Sequence, residues 1–148
     1  MGDVRDLRSA PSARKAALGL PTFDDEMVVR AEPRAPRAVR HWVMRTIAEL
    51  GVTGAANQVV ELLTAEVVSN AVVHGPAKGE VRVRLNVTGS RVRVEVRDLG
   101  HGVPTVRHPE PTAPSGRGLA LVEALAESWG TAPGDGGTCV WFEVDADA

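Results

Sequence analysis

From Val81 to Arg97 apolar and polar positions alternate almost one for one. Val81, Val83, Leu85 and Val87 are interleaved with Arg82, Arg84 and Asn86, and Val92, Val94 and Val96 with Arg91, Arg93, Glu95 and Arg97. A period of two puts one set on a buried face and the other in water, so two strands are expected, joined by a short loop at Thr88-Gly89-Ser90. Elsewhere the period is helical. Val39, Val43, Ile47 and Leu50 predict a helix that opens near Pro33 and Pro36 and stops at Gly51. Val59, Leu62, Leu63, Val67, Ala71 and Val72 predict a second, from about Ala55 to His74, ended by Gly75-Pro76. Arg117 to about Ser128 reads as a third helix, Phe23 to Arg30 as a first strand and Cys139 to Val144 as a last one.

Residues 1–22 mix Arg, Asp, Ser and Ala without an apolar period and read as a flexible tail; residues 23–148 form the domain. Residues 99–116, rich in Gly and Pro, read as a long loop of the kind that serves as a lid. The order strand, helix, helix, hairpin, lid, helix, strand predicts an α/β two-layer sandwich. Its sheet is mixed, mainly antiparallel, and covered on one face by three helices.

Composition narrows the function. The 148 residues carry a net charge of -2, so the chain as a whole lacks a nucleic-acid footprint. A single cysteine excludes an intrachain disulfide and argues against a cysteine zinc site. No run is long and apolar enough for a membrane span and no signal peptide is visible, so a cytoplasmic protein is expected.

Three segments carry candidate chemistry. Glu66, Asn70 and His74 are spaced by four along the second helix and share a face. Carboxylate and amide oxygen suit proton acceptance and a Mg²⁺ ion that keeps water and phosphate ligands; the same spacing also suits a solvated polar stripe. Asp98-Leu-Gly100-His-Gly102 follows a strand. There a carboxylate can accept a hydrogen bond from an exocyclic amine while the glycines let backbone approach a flat ligand, or the segment is an ordinary turn. Ser115-Gly116-Arg117-Gly118-Leu119 opens the third helix, where free N–H groups and a guanidinium suit phosphate, or simply mark a loop-to-helix junction. Neither a P-loop nor the Rossmann glycine pattern is present.

In this order the segments resemble the GHKL ATPase family of gyrase, Hsp90, histidine kinases and MutL. Glu66-x-x-x-Asn70-Ala-x-x-His74 is similar to its N box, Asp98-x-Gly100-x-Gly102 to its first glycine box and Gly116-x-Gly118-Leu119 to its second. Gly137-Thr138-Cys139-Val140 is similar to its last-strand signature. The small size and the Gly-Arg-Gly-Leu-Ala-Leu-Val run look most like the anti-sigma-factor serine/threonine kinases of actinobacterial type.

That resemblance implies ATP and Mg²⁺ as ligands, an anti-anti-sigma factor as protein substrate, a sigma factor as partner and, often in the family, a homodimer. It implies Glu66 as catalytic base, Asn70 on the metal, Asp98 on the adenine amine with Thr138 near it, and Gly100, Gly102, Gly116 and Gly118 shaping pocket and lid. Arg117 is read as a phosphate contact from its place at a helix start. Relatives often carry threonine just before the Val-Trp pair, where this chain has Cys139, so Thr138 serves only if Cys139 turns away. Two other readings stand beside it: a non-catalytic ATP-dependent switch that grips a partner, and nucleic-acid binding through Arg82, Arg84, Arg91, Arg93 and Arg97 on one sheet face or Arg34, Arg37, Arg40 and Arg45 on the first helix. A solvated arginine face is the plainer account of the sheet.

Overall fold

The computed structural model describes residues 22–75, 78–99, 115–134 and 137–147, with the side chains of 115–118 and 133–134 left aside. Residues 1–21 of the proposed tail 1–22, and residues 100–114 of the proposed lid 99–116, lie outside the described residues, while Thr22 belongs to the first strand.

Five strands form one sheet: β1 (Thr22–Arg30), β2 (Glu80–Thr88), β3 (Arg91–Leu99), β4 (Ser128–Gly134) and β5 (Gly137–Asp145). Their spatial order is β1-β2-β3-β5-β4. The sheet, expected to be mixed and mainly antiparallel, is antiparallel at each of these pairings. Three helices, α1 (Ala35–Glu49), α2 (Gly54–His74) and α3 (Ser115–Leu125), complete the described elements.

The alternation in β2 and β3 does what a period of two requires. Val81, Val83, Leu85 and Val87 are buried, and so are Val92, Val94 and Val96 on the paired strand. They meet Val39, Val43 and Ile47 of α1, Val60, Leu63, Val67 and Val68 of α2, Val122 of α3 and Phe142 of β5 in one core. The hairpin closes on two residues, because Thr88 pairs with Arg91. Gly89 has φ 61°, the conformation that two-residue hairpin turns require and glycine adopts without penalty.

Leu50, which continues the helical spacing of Val39, Val43 and Ile47, is 44% exposed. The chain leaves the helix just before it: Gly51 N–H donates to Ala48 O and Val52 N–H to Ile47 O, with Gly51 at φ 96°. This paired capping reverses the backbone and delivers Val52, not Leu50, to the core.

Strand β4 was not expected. Its sequence, Ser-Trp-Gly-Thr-Ala-Pro-Gly, has no alternation and, apart from Trp129 and Thr131, little strand propensity. It is an edge strand held by β5 alone, where Gly and Pro are tolerated. Gly130 is also needed for packing: a Cβ there would come within 2.8 Å of the Trp141 indole.

Candidate functional site

The two helices of the first α-hairpin are pinned on one flank. Asn57 is 8% exposed and its amide donates to Met44 O (3.1 Å) and Val52 O (2.9 Å). One turn on, Glu61 meets Arg40 of α1 at 3.7 Å. From Glu61 to Glu66 an α-helix turns by about 140°, and to Asn70 by about 180°. Glu66 and Asn70 therefore lie on the flank of α2 turned away from α1, and α3 packs against α2 as well. Both are half-buried.

Asp98, next to last in β3, is on the same face as Val92, Val94 and Val96 and is 5% exposed. Its surroundings are tight. Gly75, the cap of α2, would place a Cβ 3.5 Å from the Asp98 Cβ and in collision with Ala71 O. A Cβ on Gly137 of β5 would overlap both the backbone and the carboxylate of Asp98. The C-terminal end of α2, the end of β3 and the start of β5 thus meet at Asp98.

Thr138 follows from the register. Val140 pairs with Val96 and Cys139 with Arg97, so Cys139 is on the sheet face away from the helices. Two residues before Val140, Thr138 then shares the helix-side face with Asp98, and it is exposed. Cys139 is buried among its neighbours on the other face, and that burial pushes its thiol up despite Arg97 nearby.

Gly116, Arg117 and Gly118 form the first turn of α3, which begins at Ser115. First-turn N–H groups have no partner inside the helix. The Arg117 side chain, Gly100 and Gly102 lie outside the described residues. His74 closes α2 with its Nε2 shielded from solvent and without a hydrogen-bond partner among the described residues.

Two clefts are lined by other residues: one of about 370 Å³ on the sheet's outer face, one of about 620 Å³ beside β1 and α1. Neither contains Glu66, Asn70 or Asp98. Among the described residues no cluster of three or more His, Cys, Asp or Glu is placed to hold a metal, and no helix is long and apolar enough to cross a membrane.

The arginines of the sheet are largely neutralised. Arg82 meets Glu26 (3.5 Å), Arg84 meets Asp24 (3.2 Å), Arg91 meets Glu127, Glu143 and Asp145, and Arg93 meets Glu95 and Glu143 (2.9 Å each). Arg93 also lies 4.1 Å over the Trp141 ring. A face whose cations are matched by carboxylates offers little to a polyanion. Sequence reasoning missed these carboxylates because their partners are brought together only by the strand register. Buried Asn57 was missed too, since its place on a polar helical position carries no signal of burial.

Residues 29–144 match the family model described as the histidine kinase-like ATPase domain. Among solved structures, the RsbU and RsbW domains of Rv1364c from Mycobacterium tuberculosis are 28% identical with a TM-score of 0.65. That match covers 84% of this chain and 33% of the other, so the chain spans about a third of that protein. The histidine kinase domain of the Erythrobacter litoralis EL346 blue-light activated histidine kinase is 24% identical with a TM-score of 0.49, over 76% of this chain and 61% of that one. No curated protein sequence matches the chain.

Proposed function

The chain belongs to the histidine kinase-like ATPase domain family, and from that premise we propose that it is an ATP-dependent regulatory kinase of the RsbW type. It transfers the γ-phosphoryl group of ATP to a serine or threonine of an anti-anti-sigma partner and holds a sigma factor in the alternative state. The observation that carries this reading is Asp98, a buried carboxylate enclosed by Gly75 and Gly137 beside the end of the helix that bears Glu66 and Asn70. A carboxylate so confined cannot swing to meet bulk water, so it offers a fixed acceptor to an amine.

The residues divide the work. Asp98 accepts a hydrogen bond from the adenine amine, with Thr138 on the same face. First-turn N–H groups of α3 and Arg117 serve the phosphates, while Gly100 and Gly102 let the backbone close over the nucleotide. Glu66 takes the proton from the acceptor hydroxyl, and its half-buried place leaves it open to a protein substrate.

Asn70 would hold Mg²⁺ through its amide oxygen. A half-buried amide oxygen fits the ion, because Mg²⁺ ordinarily takes one or two protein oxygens and keeps phosphates and water. When bound, Mg²⁺ supplies neutralisation of charge on the phosphate oxygens.

The test is incubation of the full chain with γ-labelled ATP, Mg²⁺ and purified anti-anti-sigma proteins, with ATP affinity measured by calorimetry. Acid-stable label on a hydroxyl of an added protein is expected. Absence of ATP binding, or acid-labile label on the chain itself, overturns the proposal.

A further inference from the structure

Helix α1 carries charge of a different kind from the sheet. Arg34, Arg37, His41 and Arg45 are exposed and fall within an arc of about 80° over about 16 Å of helix. Arg40, on a different face, is taken by Glu61 of α2. Along the ridge the only ion pair among the described residues is Arg34 with Glu32 at 3.9 Å, between largely exposed groups. Arg37 and Arg45 make none among the described residues, although Arg45 lines a cleft with Asp24, Asp25 and Glu49.

This arrangement works against the helix that bears it. Helix N-termini favour negative charge, yet Arg34 occupies the cap without a side-chain capping bond and no acidic residue lies in the first turn. Like charges one turn apart repel as well. The same chain matches most of its sheet arginines to carboxylates at 3.5 Å or less, so a ridge with a single long, exposed pair is not a general property of its surface. Places where a sequence departs from local rules are expected at functional positions.

We propose that the ridge Arg34, Arg37, His41 and Arg45 on α1 docks an acidic helical segment of a partner protein. Carboxylates one turn apart on such a segment repeat at the spacing of Arg37, His41 and Arg45, and guanidinium groups pair with carboxylates through two parallel hydrogen bonds. A duplex is disfavoured because the chain carries a net charge of -2 and its sheet arginines are largely neutralised. An anionic membrane is disfavoured because the exposed residues of α1 include only Ala38 and Ala48 as apolar ones, and Trp42 is half-buried. The site is independent of the nucleotide reading, and its residues are outside the proposed catalytic set.

The probe is a fluorescein-labelled, end-blocked 16-residue helical peptide with glutamate at every fourth position, followed by anisotropy with the full chain at low salt. Saturable binding to the unmodified chain is expected. Arg37→Glu/Arg45→Glu weakens it at least tenfold, and Arg82→Glu/Arg97→Glu on the sheet leaves it within twofold. A lysine version of the peptide binds the Arg37→Glu/Arg45→Glu variant more tightly than it binds the unmodified chain. No binding by the unmodified chain overturns the proposal, as does equal loss in the two variants. Tighter, ridge-dependent binding to a 20-base-pair duplex or to phosphatidylserine vesicles than to the acidic peptide also overturns it.

Discussion

Gly137 on β5 lies against Asp98 on β3 so closely that no side chain fits between them. The contact joins the last-strand motif to the first glycine box and makes the absence of a Cβ at 137 a condition for the carboxylate's position. Gly137→Ala is expected to push Asp98 out of place. Forcing a methyl into a closed contact costs about 1–3 kcal/mol of stability, and ATP affinity falls with it. Urea denaturation reports the first effect and calorimetry the second; a variant with both unchanged would mean that Asp98 moves freely.

Asp98→Asn separates position from charge. The amide keeps the shape and one neutral acceptor, but it loses the charge and puts an NH₂ donor where the second carboxylate oxygen stood. A hydrogen bond to a charged group is worth about 1.5–3 kcal/mol, so ATP binding weakens roughly ten- to a hundredfold. Calorimetric affinity equal to that of the unmodified chain would remove Asp98 from the nucleotide site.

Glu66→Gln addresses chemistry rather than binding. A positioned general base contributes about 10²- to 10⁴-fold, so label transfer falls by that factor while the ATP dissociation constant stays within error. Full transfer activity in this variant would exclude Glu66 as the base.

Much of this was legible in the chain itself, and the exceptions have physical causes. The valines of β2 and β3 declare their burial because a strand's period is unambiguous when every second residue is apolar. The relation of Thr138 to Asp98 needed the register, which one residue of slip would have reversed, placing Cys139 inward. Strand β4 stayed hidden because an edge strand next to one partner does not need apolar alternation. The exposure of Leu50 was not legible because its spacing continues that of Val39, Val43 and Ile47 up to the point where Gly51 turns the backbone. Glu66 and Asn70 were read from spacing and from the resemblance of their segment to the N box, and their flank became identifiable only once Asn57 and Glu61 were seen to face α1.

Asn57 gives a stability prediction independent of the nucleotide. Its amide satisfies a buried carbonyl at Val52 and a second at Met44, tying α2 to the turn that ends α1. Asn57→Ala removes both donors and leaves the Val52 oxygen in the interior, at a cost of about 1–3 kcal/mol. The urea midpoint should drop without a change in slope, while ATP affinity is retained in the folded protein. A midpoint shift within error would mean that water replaces the amide.

Glu143 sets an acid-side dependence whose sign is fixed by its neighbours. Burial alone would raise its carboxyl, but hydrogen bonds from Arg93, Ser128 and Arg91 outweigh that and hold it below the usual 4.5. The folded state therefore favours the ionised form more than the unfolded chain does. Stability from this group is present in full above the unfolded value and is lost as pH falls below 4.5 through the folded value. Asp145 acts in the same direction, lowered by the Asp147 backbone N–H and the Ser90 hydroxyl, so the unmodified chain has more than one contributor. Glu143→Gln should lower the melting temperature at pH 7 and leave a shallower decline on acidification, so that the two curves converge below the folded value. A gap that stays constant from pH 7 to pH 3 would show that Glu143 acts through packing and not through its charge.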